Sequence, residues 1–141
     1  MNRRNIVLNH DDYNVLRNLL ESWKRSGKAN LPHVARLAEE VKAAVVMDAE
    51  TIPDDVVTIR SRVSFRHLSD DVAEAAEQAV IVFPVHCSEA PENVSILSPL
   101  GMALIGEREG TEVEYVAPGG TYRIRIDAVA QQQTPRVLQR E

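Results

Sequence analysis

The chain has 141 residues, 44% of them hydrophobic and 26% charged, and a formal net charge of −5 at pH 7. That length allows one domain, or one small domain with an appendage, and the balance is that of a globular protein rather than a disordered or membrane one. No apolar run approaches the ~18–20 residues that cross a bilayer, the start MNRRNIVLNHDDY lacks the apolar segment of a signal peptide, and the acidic balance disfavours nucleic acid. A cytoplasmic protein without membrane contact or direct sequence-specific nucleic-acid binding is therefore expected. Cys87 is the only cysteine, which leaves no internal disulfide and no multi-cysteine zinc site; it reads as a small buried side chain on a strand.

Ile6, Val7 and Leu8 form a short apolar run, after which Asn9 or His10–Asp11 offers a helix start with acidic residues in the first turn. Tyr13, Leu16, Leu19, Leu20 and Trp23 then recur along a single helical face, and Gly27 marks where the helix has to end. Asn30 offers a cap for a second helix and Pro32 suits its first turn. Leu31, Val34, Leu37, Val41, Ala44 and Val45 make its apolar stripe, with Arg36, Glu39, Glu40 and Lys42 on the remainder. Two such helices joined by a short turn are expected to pack antiparallel over residues 1–50, since neither is stable alone.

The stretch Asp48–Asp55, with Pro53 in it, reads as a linker, and the period then changes. Val57, Ile59, Val63 and Phe65 are separated by even offsets, which places them on one strand face, with Thr58, Arg60, Arg62, Ser64 and Arg66 on the other. AVIVFPV at 79–85 reads as a strand covered on both sides, and VSIL at 94–97 as a shorter one. Ser98 caps a helix with Pro99 at its first position, apolar from Leu100 to Ile105 and stopped by Gly106. EVEYVA at 112–117 and TYRIRIDAVA at 121–130 make a hairpin through Pro118, Gly119 and Gly120. The class is α+β: a helical unit over 1–50, a sheet with one packed helix over 51–130, and a polar tail over 131–141 expected to fray.

Chemistry-bearing patterns are sparse. His10, His33, His67 and His86 lack metal-ligand spacing, and no phosphate-binding glycine loop occurs, so neither a metal, a cofactor nor kinase activity is expected. Of the six aromatic residues, Phe65, Phe83, Tyr115 and Tyr122 lie outside the helices; they read as sheet core and cross-strand pairs rather than as a prolyl-isomerase pocket.

The stretch VSILSPLGMALIGEREGTEVEYVAPGGTYRIRIDAV resembles the C-terminal domain of the GreA/GreB transcript-cleavage factors. The matching elements are Ser98-Pro99-Leu100-Gly101, Ala103-Leu104-Ile105-Gly106, an acidic-and-glycine turn, Pro118-Gly119-Gly120 and the alternating last strand. The preceding VVTIRSRVSFRHLSD brings the likeness nearer to that family's regulators of nucleoside diphosphate kinase. The resemblance implies an FKBP-like antiparallel sheet with one packed helix, which docks on RNA polymerase at the rim of its secondary channel while the helical hairpin points inward. It places the docking contact on the corner formed by Leu97, Ser98, Pro99 and Leu100. Cleaving members carry acidic residues at the hairpin tip, whereas this tip reads Trp23-Lys24-Arg25-Ser26-Gly27-Lys28-Ala29-Asn30 and holds no carboxylate. Lys24, Arg25 and Lys28 cannot help hold a metal ion, so the resemblance implies a non-enzymatic regulator that competes with Gre factors. A binding module for another partner, such as nucleoside diphosphate kinase, is the alternative.

Overall fold

A computed structural model describes residues 5–28, 30–70 and 72–131. The order is β1 (Val7–Asn9), α1 (His10–Arg25), α2 (Pro32–Lys42), β2 (Val45–Met47), β3 (Arg62–Ser69), β4 (Val72–Val82), β5 (Asn93–Ser95), α3 (Pro99–Leu104), β6 (Glu112–Ala117) and β7 (Gly120–Ala130). Short 3-10 turns lie at Ala49–Thr51 and Pro84–Glu89. The tail beyond Gln131 lies outside the described residues. No described helix is long and apolar enough to cross a membrane.

Asn9 starts α1 as expected, its side-chain oxygen accepting from the Asp12 amide at 2.8 Å. The second helix departs from expectation at both ends. Its cap is Leu31 rather than Asn30, with no side-chain bond to the free amides. It stops at Lys42, and Val45, read as helical, lies on β2 beside β1. β1 and β2 run parallel, so the apolar run Ile6–Leu8 is fixed across the base of the helix pair. Leu31 and Val45 are accordingly exposed, while Val34, Leu37 and Val41 are buried.

The main sheet has the order β5-β4-β3-β7-β6. It is mixed rather than wholly antiparallel, because β5 runs parallel to β4. The pairing of Tyr115 with Tyr122 and Ala117 with Gly120 confirms the Pro118–Gly119–Gly120 hairpin. The long strand expected from Val57 is shorter than its alternation suggests: β3 begins only at Arg62. Val57 and Ile59 are buried with Val63 and Phe65 all the same, but a turn intervenes, with Arg60 at φ +74°. Thr58, read onto the face opposite Val57, is buried in that turn with Ser61, and the two satisfy each other: the Thr58 amide donates to Ser61 Oγ at 2.8 Å, and the Ser61 amide to the Thr58 carbonyl at 3.0 Å. Cys87 sits half-buried on the second 3-10 turn, not on a strand, because Pro84 ends the ladder.

Among the described residues one apolar cluster joins the helices to the sheet. Ile6, Leu8, Leu16, Leu37 and Val41 from the helical end join Phe65, Ile81, Ile96, Leu104, Ile124 and Ile126 from the sheet and α3. The stretch 48–55, read as a linker, holds a buried Ile52 that is not among the residues of that cluster. Gly106, at φ +84°, lets the Ile6 backbone lie close, since a side chain there would come within 2.9 Å of the Ile6 Cα.

Leu37 is fully buried in this cluster. Leu37→Ala should therefore destabilise the protein by about 2–5 kcal/mol. The urea midpoint reads this directly, and a loss below about 0.5 kcal/mol, as for an ordinary surface change, would mean that the helix face is not buried.

Candidate partner-binding surfaces

The turn between α1 and α2 is set by backbone bonds. The Ser26 amide donates to the Ser22 carbonyl, the Gly27 amide to Lys24 and the Lys28 amide to Trp23, with Gly27 at φ +82°. Lys24 and Arg25 stand in the last helical turn, where cations suit the negative end of the helix dipole. Together with Lys28 they are exposed, and none pairs with a carboxylate among the described residues. The structure thus brings Lys24, Arg25 and Lys28 together at one end of the helix pair.

The second predicted surface is the corner where β5 gives way to α3. Ser98 Oγ accepts from the Gly101 amide at 3.0 Å and donates to the Ser95 carbonyl at 2.8 Å, while the Leu97 amide donates to Ser95 Oγ at 3.0 Å. Gly101 is held so tightly on the Ser95 carbonyl that any Cβ would overlap that oxygen. These bonds make a stiff corner with an exposed Pro99 and half-buried Leu97 and Leu100, the two leucines packed against the core. Its predicted residues are contiguous, and all lie far in sequence from the cationic turn.

An ion pair between the start of α1 and the turn before β3 was not read from the sequence. Asp12, in the first turn of α1, is 4% exposed, and its Oδ1 receives a hydrogen bond from Arg60 Nη1 at 3.3 Å. The Arg60 guanidinium also lies 5.7 Å from the centroid of the Phe83 ring, and its amide donates to the Ile81 carbonyl. Burial raises the Asp12 pKa above its ordinary value, and the Arg60 charge and hydrogen bond oppose that shift without cancelling it. A signal was present: Asp12 precedes Leu16 by one helical turn and so falls on the apolar stripe. Arg60 alternates with apolar residues and gave none, because its left-handed backbone removes it from the strand it was read into. The described residues contain no cluster of His, Cys, Asp or Glu fit to hold a metal ion.

A helix pair with a cationic turn, set on a mixed sheet that carries one short buried helix behind a Ser-Pro corner, defines an α+β protein with a helical arm. The family model described as Transcription elongation factor, GreA/GreB, C-term matches residues 52–131. The chain belongs to the GreA/GreB family. It is 34% identical over 120 residues to the regulator of nucleoside diphosphate kinase of Escherichia coli K12, covering 85% of this chain and 84% of that protein. Against the transcription elongation factor GreA of Clostridium botulinum (strain Eklund 17B / Type B) it is 33% identical over 93 residues, 66% of this chain and 56% of that one. The solved prokaryotic transcription elongation factor GreA/GreB from Nitrosomonas europaea superposes with a TM-score of 0.72 at 35% identity, over 91% of this chain and 99% of that one.

The Asp12 site carries a signed pH dependence. A carboxyl whose folded pKa is raised contributes stability that is fully present below its ordinary value of 3.8 and lost as pH rises through the folded value. Relative to Asp12→Asn, the protein should therefore lose stability between about pH 3 and about pH 7. Urea midpoints of both across that range check this; a relative gain would mean that Arg60 outweighs burial.

Proposed function

We propose that the chain is a non-enzymatic transcription regulator that binds RNA polymerase near its secondary channel and competes there with Gre factors without stimulating transcript cleavage. The observation that carries this reading is the exposed turn of Lys24, Arg25 and Lys28, which presents ammonium and guanidinium groups where cleaving members of the family present carboxylates. Cations have no acceptor oxygen and repel Mg²⁺, so this turn adds nothing to a metal centre. Length supports the same conclusion. α1 has 16 residues and α2 has 11, which gives arms of about 24 Å and about 16 Å, shorter than an arm that reaches a catalytic centre.

On this reading residues 1–50 form an antiparallel helical hairpin, residues 51–130 an FKBP-like body, residues 131–141 a tail, and the protein works in the cytoplasm. The body docks through Leu97, Ser98, Pro99 and Leu100. A stiff corner suits docking because its side chains are already ordered before a partner arrives. A second reading, a module that binds nucleoside diphosphate kinase directly, is favoured by the identity with the E. coli regulator of that kinase. Retention of core polymerase, but not of the kinase, on the immobilised protein separates the two.

Added to a backtracked polymerase complex, the protein should leave RNA cleavage at the polymerase's intrinsic rate and reduce the stimulation given by a cleaving Gre factor. Pro99→Asp should weaken polymerase binding by about 1–2 kcal/mol, a five- to thirtyfold loss, with little change in melting, since an acidic residue suits the first turn of a helix. Stimulated cleavage contradicts the first expectation. Normal binding by the folded variant removes the corner from the interface.

A further inference from the structure

The side of the sheet that carries the core does not end with the core. β3 and β7 continue outward from Phe65 and Ile124, and the next inward-facing positions bear rings rather than aliphatic side chains. Phe65 meets His67 edge to face at a centroid distance of 5.8 Å, and His67 meets Tyr122 in the same manner at 5.9 Å. Tyr122 stacks on its cross-strand partner Tyr115 at 5.5 Å and an interplanar angle of 29°. The array leads from a buried ring through half-buried His67 and Tyr115 to an exposed one: Phe65 is 2% exposed and Tyr122 36%. Gly119 makes room for it, since a Cβ there would lie 2.8 Å from the Tyr122 hydroxyl.

The rim of this shelf is acidic. Glu77, opposite Phe65 on β4, bonds His67 Nδ1 through its carboxylate at 3.1 Å and remains half-exposed. The arginines of the two strands belong to the other face, where they are occupied: Arg66 and Arg125 bond Asp127, and Arg123 bonds Glu112. Burial, ahead of the neighbouring Tyr122 and Glu77, holds the Tyr115 hydroxyl above its ordinary pKa. Cross-strand pairing accounts for the stacked tyrosines. It does not account for ring surface left open beside a half-exposed carboxylate whose partner among the described residues is the His67 ring alone.

We propose that the shelf of His67, Tyr115 and Tyr122 with Glu77 at its edge is a binding site for an arginine side chain carried by a protein partner. A guanidinium is planar, lies flat on an exposed ring face, and can donate to a carboxylate at the ring's edge. An ammonium matches the charge but not the plane. The overall net charge of −5 favours the approach of a basic segment, and the shelf supplies the geometry that selects arginine.

The test is an NMR titration of the full chain, labelled with ¹⁵N, using the end-blocked tripeptide Gly-Arg-Gly and its Gly-Lys-Gly counterpart up to millimolar concentration. The arginine peptide should give saturable shifts confined to residues 65–67, 77 and 113–123. Tyr122→Leu and Glu77→Gln should each weaken it about fivefold or more, and the lysine peptide should bind correspondingly less tightly. Glu77→Gln, an exposed change, keeps the test valid if Tyr122→Leu perturbs the hairpin. Equal binding of both peptides, shifts spread over the acidic surface, or an unchanged affinity for Glu77→Gln would overturn the assignment.

Discussion

Helices of 16 and 11 residues are marginal alone in water, and in this protein the inner faces of both are buried in the same apolar cluster as the sheet. That shared burial is the constraint on which the rest depends. It requires Ile6 and Leu8 to enter the body, which in turn requires a residue without a side chain at Gly106 and a parallel bridge between β1 and β2. Asp12 and Arg60 lie across the same junction. Asp12 is buried while the Arg60 side chain is half-exposed, so the pair contributes little net stability, but leaving the Asp12 carboxylate unpaired is unfavourable, and this penalises any slippage of α1 over the sheet. The left-handed Arg60, at a conformational cost of about 1–2 kcal/mol, is the local expression of that requirement.

A cationic turn can be presented to a partner at a fixed distance from the Ser98–Pro99 corner only if the arm does not swing. The junction opposes such swinging through shared apolar burial and the Asp12–Arg60 contact. The corner is stiff for a separate reason: Ser95 and Ser98 satisfy each other's backbone and Gly101 packs on the Ser95 carbonyl. Each surface is thus held by its own backbone bonds, and both rest on residues of one apolar cluster. The aromatic shelf on the distal sheet rests on cross-strand ring contacts and on the bond between His67 and Glu77.

Local periodicity carried much of the fold. The start of α1 at Asn9, the capped α3 and the β6–β7 hairpin follow from a cap, a proline and a pair of glycines acting within a few residues of themselves. Long-range requirements were not legible. Val57 and Ile59 alternate like strand residues and are buried like them, yet the chain turns at Arg60 because the core needs those side chains from a loop. Val45 continues a helical stripe but is taken by the parallel bridge to β1. The tip and the corner could be named as candidates from the sequence because each is contiguous in it. The shelf joins His67, Glu77, Tyr115 and Tyr122 across strands, and its register appears only when the sheet is assembled.

If the arm and the sheet share one core, they must open together. Native-state hydrogen exchange measures this residue by residue. The amides of Leu16 and Leu37 in the helices should exchange with the same opening free energy, and the same denaturant dependence, as those of Phe65 and Ile124 in the sheet. Exchange of Leu16 and Leu37 through a markedly easier opening that leaves Phe65 and Ile124 protected would show a helix pair that unfolds on its own, and would contradict the account.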